Sequence, residues 1–430
     1  MNPPHSTEPA FTSLAQWLTY LDSLHSKTID LGLERVGAVF QNMAIAYSGT
    51  VITVAGTNGK GSTCATLEHL ALALGKTVGV FGSPELLDYK ERVRVNGEQL
   101  SEAEFCQAFA VVERARGDTP LSPFEYGTLV AIQLLAMANP DVVILEVGLG
   151  GRLDAVNVVD ADLAVITRIG IDHQAFLGHT REAIALEKAG IMRAGSSAVI
   201  GDLDPPDTLK ARVEELGVKA VWVEQDFQFD SISETDQATW RWQSPGIAEF
   251  QLLPEPNVPR QNVATAIACA VQLDWPISTG IVKQVCHSVA LQGRFQVIQT
   301  QPHIILDVAH NPQATAYLQN KVQQYCKLEN QPSQLHLVVG MLSDKDSAAS
   351  LQPFTGLSAN WYLAPLPTPR SATAQSMVDT LPKCEHCQMF TSVEHALERA
   401  KANASEEETI VVFGSFYTVA EVLRSKHWQG

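Results

Sequence analysis

This 430-residue chain is short of positive charge: 30 Lys and Arg stand against 47 Asp and Glu, a formal net charge of −17. That deficit argues against non-specific binding to nucleic acid or to an anionic membrane surface, while leaving room for a local basic pocket. Cysteine is scarce too. The seven (Cys64, Cys106, Cys269, Cys286, Cys326, Cys384, Cys387) are odd in number and mostly scattered, which suits reduced thiols in the cytoplasm. The CxxC at Cys384-Glu-His-Cys387 has no second pair beside it, so a loop is a better reading there than zinc or redox chemistry. No apolar run reaches membrane-spanning length. The opening residues, MNPPHSTEPAF, have neither a basic region nor an apolar stretch of signal-peptide type, so no secretory leader is expected. Internal repeats and low-complexity tracts are also lacking.

What is present is a core. Hydrophobic content of 45% and charged content of 18% fit a globular protein, and the length predicts two or three domains. Short apolar runs alternate with helix-length segments. Strands are predicted over Thr50–Ala55, Thr77–Phe81, Asp141–Val147, Leu163–Thr167 and Ala198–Ile200. Helices are predicted over Ser62–Leu74, Ser101–Arg116, Phe124–Ala138 and Thr180–Met192. Nearly continuous apolar strands with helical crossovers indicate a parallel sheet covered on both faces, with ligands at the carboxyl ends of its strands. Between Phe227 and Leu253 the texture changes to polar–apolar alternation, which predicts a small antiparallel appendage, and a helix is expected near Arg260–Leu273. A second α/β series begins near Gln301, with strands at His303–Asp307, Leu335–Val339, Trp361–Leu363 and Thr409–Phe413. The expected fold class is therefore α/β: a phosphate-loop, parallel-sheet ATPase domain carrying the appendage (1–296), plus a smaller Rossmann-like α/β domain (297–430). The space between two such domains is a common place for a ligand.

The chemistry starts at 50–63, TVITVAGTNGKGST. A β-branched strand stops at a glycine-rich turn carrying Lys60 and then feeds a helix. Glycines let backbone N–H groups approach an anion, the helix N-terminus adds partial positive charge, and a Ser or Thr hydroxyl can reach Mg²⁺. The spacing is compressed: two residues separate Gly56 from Gly59, where the common phosphate loop has four. Other candidates are weaker alone. Glu146, at the end of an apolar strand, is placed for Mg²⁺ or is an exposed strand-end carboxylate. His173 follows another strand and is either structural or a ligand for a softer ion. Asp154 reads as a turn former that could accept a hydrogen bond from a polar ring. Lys188, in REAIALEKAGIM, reads locally as a solvated helix lysine. Arg294, Asp307 and His310 lie at the inferred linker and the first strand beyond it, placed for phosphate, ribose or metal, or for an interdomain salt bridge.

As a set, the motifs are specific. HSKTIDLGLERV (25–36), VAGTNGKGST (54–63), FEYGT (124–128), ILEVGLGGRLDA (144–155), DH (172–173), EKAGI (187–191), GRFQ (293–296), DVAHNP (307–312), MLSDKD (341–346), APL (364–366) and GSF (414–416) run in order along most of the chain. In these it closely resembles the bacterial dihydrofolate synthase/folylpolyglutamate synthase family of the Mur ligase superfamily. The resemblance implies an ATP-dependent ligase that activates a carboxylate as an acyl phosphate. L-glutamate is then added to dihydropteroate and to the γ-carboxylate of reduced folates. It implies Asn58, Gly59, Lys60, Gly61 and Ser62 as the ATP phosphate loop. Asn262, Arg294, Asp307 and His310 are further ATP contacts, and Ser83, Glu146 and His173 are Mg²⁺ ligands. Lys188 is implied as a carbamylated lysine able to hold a second ion, with Lys60, Lys188 and His173 as the catalytic set. Ile29, Asp30, Leu31, Ser122, Pro123, Phe124, Glu125, Leu153, Asp154 and Ala155 match the dihydropteroate pocket. ATP and one or two Mg²⁺ ions are the implied cofactors, with K⁺ an open addition. Small-molecule substrates, a monomer and a cytoplasmic location complete the expectation, with no nucleic acid or membrane partner. One departure is visible: where the family shows Ser-Pro-His, this chain has Ser83-Pro84-Glu85, which adds negative charge near the implied metal region. Three readings compete: a purely polyglutamylating enzyme, a cell-wall Mur ligase, and a phosphate-loop switch without ligase chemistry. The pocket segments disfavour the cell-wall ligase, and DVAHNP with EKAGI disfavours the switch.

Overall fold

The architecture is that of a computed structural model, which describes residues 11–24, 30–232, 239–329, 332, 334–381 and 386–425. Two compact units emerge. The first comprises residues up to Ile169 together with His179–Val289, and the second comprises Gly170–Gly178 and the chain from Ala290 onward.

The first unit is organised by eight strands: β1 (Thr50–Ala55), β2 (Val78–Phe81), β3 (Val93–Val95), β4 (Glu98–Gln99), β5 (Val142–Glu146), β6 (Leu163–Ile166), β7 (Ser197–Ile200) and β8 (Lys219–Trp222). They lie in the order β4-β3-β2-β5-β1-β6-β7-β8. β1 is central and parallel to both β5 and β6, while β3 and β4 close one edge antiparallel. The sheet is thus mixed rather than purely parallel. The expected appendage is a separate antiparallel sheet of β9 (Gln228–Ile232), β10 (Thr239–Ser244) and β11 (Ala248–Pro254). Its buried Trp240 and Trp242 alternate with half-buried neighbours, as a sheet with one covered face requires.

Two N-terminal helices, α1 (Leu14–Leu24) and α2 (Glu34–Met43), precede the sheet. The crossovers are α3 (Lys60–Ala73), α4 (Glu102–Arg116) and α5 (Pro123–Ala138). α3 is buried on nearly every side, including Ser62, Thr63, Thr66 and Glu68. Glu68 is balanced by Arg94 at 2.7 Å. α4 and α5 each begin with a full capping box, Ser101 with Glu104 and Ser122 with Glu125, which satisfies otherwise orphaned N–H groups. A short turn, α6 (Gln174–Leu177), belongs to the second unit; α7 (Arg181–Ala189), α8 (Asp207–Leu216), α9 (Arg260–Gln272) and α10 (Thr279–Ser288) return to the first. α1 is held by aromatic packing: the Trp17 ring stacks on Phe109 at 5.3 Å, and Phe109 on Tyr126 at 5.6 Å.

The second unit has a six-stranded sheet ordered β12-β13-β17-β14-β15-β16. Its strands are β12 (Gln296–Thr300), β13 (His303–Leu306), β14 (Leu335–Val339), β15 (Ala359–Leu363), β16 (Cys387–Met389) and β17 (Thr409–Phe413). Only β12 runs antiparallel, at one edge. The longest helix, α11 (Pro312–Leu328), opens with an Asn311 cap and Pro at its first position. Among the described residues Cys64, Cys106, Cys269, Cys286 and Cys326 are free thiols, whereas Cys387 is disulfide-bonded. The expectation of reduced thiols throughout is corrected at Cys387; Cys384 lies outside the described residues. Among the described residues no helix is long and apolar enough to cross a membrane.

Trp17 fills the junction of α1, α4 and α5, so Trp17→Ala is expected to cost the first unit about 3–5 kcal/mol. A denaturant midpoint followed by circular dichroism and unmoved by the substitution would refute this packing role.

Candidate functional site

The register decides what meets at the carboxyl edge of the first sheet. Val54 pairs with Glu146, Ala55 with Ile166, and Phe81 with Leu145. The glycine loop after β1, the Gly82–Ser83 turn after β2, Glu146 at the end of β5 and Thr167–Arg168 after β6 therefore emerge side by side. Thr57 N–H donates to Arg168 O at 2.7 Å, and the Thr167 hydroxyl donates to Asn58 O at 2.8 Å. A Cβ on Gly56 would lie 1.8 Å from Thr167 Oγ1, so no larger residue fits. Gly59 caps α3 with φ +95, and a Cβ there would meet Asn262 Oδ1 at 2.5 Å. Asn262, buried in the first turn of α9, thus packs directly on the loop. Lys60 Nζ rests 3.1 Å from Gly56 O.

Glu146 is 8% exposed, not the open strand-end carboxylate that position alone allows. Its Oε2 lies 3.4 Å from Ser83 N, and a Cβ on Gly82 would come within 3.1 Å of that oxygen. The Glu146 carboxylate and the Ser83 hydroxyl are hard oxygen donors of the kind that suit a small divalent cation keeping several waters. Among the described residues no group of three or more His, Cys, Asp or Glu forms a ready-made metal cage. The Cys64 thiol behind them is pushed well above its ordinary range by burial and then by the Glu146 charge, so it stays protonated. Glu85, the residue that departs from the family pattern, is engaged by Arg92 Nε at 2.6 Å. Its charge is thereby balanced locally.

Lys188 is 3% exposed. The local reading of a solvated lysine is overturned because the loop after β5 packs on the end of α7. Arg152 N–H donates to Glu187 O at 2.7 Å, and a Cβ on Gly151 would lie 2.8 Å from that same oxygen and 3.1 Å from Lys188 Cα. Asn157 Nδ2 bridges Arg152 O and Gly190 O, both at 3.0 Å.

The same loop carries Leu153, Asp154 and Ala155. Asp154 is 1% exposed and caps a short 3-10 turn, accepting from Leu149 N at 2.8 Å and Val156 N at 3.0 Å. Burial pushes its carboxyl up to about 6, against those hydrogen bonds and the Lys60 charge. Around it gather other segments expected to line the dihydropteroate pocket. Gly32 N–H donates to Leu153 O at 3.3 Å, and a Cβ on Gly148 would lie 2.4 Å from Phe124 Cζ. Ser122, Pro123 and Glu125 form the first turn of α5, and Asp30 and Leu31 lie just before α2. Ile29 lies outside the described residues.

In the second unit, Asp307 accepts from Phe295 N and Ala309 N, each at 2.8 Å, and burial raises its carboxyl against the Arg294 charge. The Arg294 guanidinium stands 5.0 Å from the Phe416 ring centroid. The His310 Nδ1–H donates to Val308 O at 2.8 Å. Asp172 gathers Lys345 Nζ at 2.5 Å, Asn311 Nδ2 at 3.3 Å, His310 Nε2 at 3.5 Å and its neighbour His173 N at 2.7 Å. Burial opposes ionisation of Asp172, but the His310 hydrogen bond and the charges of His173 and Lys345 hold it well below the usual carboxylate range. His173 itself sits at φ 51 as the cap of α6. The DH, MLSDKD, HSKTIDLGLERV and ILEVGLGGRLDA motifs and the strand ending at Thr167 contain Asp172, Lys345, Arg35, Arg152 and Thr167, but local sequence gives none of the five a role. Each of these acts on a partner distant in the chain, which no local pattern reveals.

The chain is similar to known proteins over most of its length. Residues 54–270 match the Mur ligase middle domain and residues 293–416 the Mur ligase glutamate ligase domain. The chain is 44% identical over 420 residues to the dihydrofolate synthase/folylpolyglutamate synthase of Escherichia coli, covering 97% of this chain and 96% of that one. A solved structure of E. coli FolC in complex with DHPP and ADP superimposes with a TM-score of 0.91 at 43% identity, covering 97% of this chain and 98% of that one. The bifunctional enzyme of Yersinia pestis with Mn, AMPPNP and L-glutamate bound gives 0.90 at 45% identity, covering 98% and 100%.

The raised Asp154 carboxyl has a stability consequence. Its folded value of about 6 exceeds its ordinary 3.8, so the folded state holds the extra proton between those values. The Asp154 contribution is fully present below about pH 4 and is lost as pH rises through about 6, by on the order of 2–3 kcal/mol. Asp154→Asn should remove that slope. Urea unfolding of both proteins at pH 4.5 and pH 7.5 checks it: a wild-type minus variant difference that stays constant with pH would refute the assignment.

Proposed function

This chain belongs to the dihydrofolate synthase/folylpolyglutamate synthase family of the Mur ligase superfamily and is an ATP-dependent ligase; on that premise we propose that it joins L-glutamate to dihydropteroate and to the γ-carboxylate of reduced folates. The observation that carries the reading is the neighbourhood of two parts of the first unit. Val54 at the end of β1 is level with Glu146 at the end of β5, so the loop assigned to phosphate and the loop carrying Leu153 and Asp154, assigned to the pterin, leave the same end of the sheet on neighbouring strands. A ligase that activates a substrate carboxylate with ATP needs that arrangement, and a phosphate-loop switch does not.

Lys60 and the loop N–H groups neutralise the β/γ-phosphates as the substrate carboxylate attacks the γ-phosphorus and ADP departs. The glutamate amine then attacks the acyl phosphate carbonyl, and phosphate leaves from the tetrahedral intermediate. Asn262 buttresses the loop through Gly59. Asp154, with Phe124, Leu153 and Ala155 beside it, accepts from the pterin ring and fixes where the carboxylate points. Ser83 and Glu146 are the residues of this unit that would hold Mg²⁺, and His173 is assigned to the same ion through the family pattern. The ion supplies charge neutralisation at the transferring phosphoryl group. Lys188, buried at the end of α7, is assigned as the carbamylated lysine, its added carboxylate serving a second ion; electron density at Nζ in bicarbonate tests this. Arg294, Asp307 and His310 are assigned to ATP. A monomer working in the cytoplasm on small-molecule substrates, with K⁺ as a further ion, completes the proposal.

ADP release should require both dihydropteroate and glutamate, and hydrolysis independent of either would instead support the switch. Turnover with dihydropteroate against tetrahydrofolate separates the bifunctional reading from a purely polyglutamylating one. Lys60→Ala should lower kcat by about 10²-fold or more, because it deletes a charge aimed at the transferring phosphoryl group. Near-wild-type turnover would reject the phosphate-loop assignment.

A further inference from the structure

We infer that Arg35 is a positioning residue for substrate specificity: its guanidinium fastens together two edges of the pteroate pocket and thereby sets affinity for the pterin-bearing substrate, leaving the nucleotide site untouched. The inference rests on the assignment of these segments to that pocket.

Arg35 is the second residue of α2. One end of its fork, Nη1, lies 2.9 Å from Asp30 Oδ2. The other, Nη2, donates to Glu125 Oε1 at 3.0 Å and to Asp30 O at 3.2 Å. Glu125 is buried in the first turn of α5, and its remaining oxygen already accepts Ser122 N–H at 2.8 Å. The carboxylate is thus shared between a helix cap and Arg35. On its other side the 30–33 loop is pinned by Gly32 N–H to Leu153 O, next to Asp154. Three chain segments distant in sequence therefore meet through one guanidinium and one backbone hydrogen bond.

The chemistry explains why arginine stands there. Asp30 and Glu125 are like charges near one another, and Glu125 is shielded from water, so without a cation between them the segments repel and the loop loses its anchor. A planar fork can serve two carboxylates in fixed directions, whereas a lysine ammonium is a point charge on a flexible stem. Glycine at 32 adds no stiffness of its own. A displaced 30–33 loop moves the wall beside Leu153 and Asp154, while the Gly56–Ser62 loop, held by Thr167, Arg168 and Asn262, keeps its contacts.

Steady-state kinetics on the full chain tests this, with Arg35→Gln, Arg35→Lys, Glu125→Gln and the Arg35→Gln/Glu125→Gln double variant. The expected result for Arg35→Gln is a rise of about tenfold in KM for dihydropteroate, with KM for ATP within about twofold and kcat within about threefold of wild type. Arg35→Lys should fall between, and the double variant should be no worse than the poorer single one, because both changes break one link. If Arg35→Gln does not fold, Arg35→Lys and Glu125→Gln carry the same test. An unchanged dihydropteroate KM overturns the inference. So does an equal rise in both KM values accompanied by a lower Tm, which marks general loosening. Titration of pterin fluorescence with wild-type protein separates the premises: no binding refutes the pocket assignment itself, whereas wild-type binding matched by Arg35→Gln refutes only the role of Arg35.

Discussion

The site depends on one constraint, the parallel placement of β1 between β5 and β6. Parallel strands end on the same side, so their carboxyl-terminal loops must share a small area. β6 comes close enough that the turn after β1 has no room for a side chain at 56, and the loop instead makes backbone hydrogen bonds to Arg168. The same register sets Glu146 level with Val54, one residue beyond the end of β2. Phosphate loop, candidate metal carboxylate and Ser83 turn are therefore consequences of strand order rather than separate inventions.

A second theme is how an acidic protein buries charge. Taking a carboxylate out of water is costly unless hydrogen bonds or a cation accompany it. Each buried acid described above has such company. Asp154 accepts two backbone N–H groups, Glu68 faces Arg94, Glu125 is shared by Ser122 and Arg35, and Asp172 gathers Lys345, His310 and Asn311. Several partners come from distant parts of the chain, as with Arg94 on Glu68, Arg35 on Glu125 and Lys345 on Asp172, and so fasten one segment to another, whereas those of Asp154 are local.

Much of this was legible beforehand. β1, β5 and β6 announce themselves as continuous apolar, β-branched runs, and α4 and α5 match the helices predicted over Ser101–Arg116 and Phe124–Ala138. The alternation from 228 to 253 gave the antiparallel sheet. The antiparallel edges β3–β4 and β12 were missed, being short and only partly apolar, and so were α1 and α2. The family was readable because its motifs run the length of the chain, and the comparisons bear it out. Lys188 shows the limit most plainly. Beside Glu187 in a polar stretch it looks solvated, yet the 148–154 loop covers it.

By itself the amino-acid sequence determined the central strands, the crossover helices, the glycine loop and the family, because each is written in local patterns of apolarity, turn residues and motif order. Only the tertiary structure decided which charges are buried and what accompanies them: Asp154 lifted to about 6, Asp172 held ionised, Glu85 balanced by Arg92, Arg35 forked between Asp30 and Glu125. Burial depends on how distant parts of the chain pack, and even a pair close in sequence, such as Glu85 with Arg92 or Asp30 with Arg35, forms only where the fold brings the two side chains together.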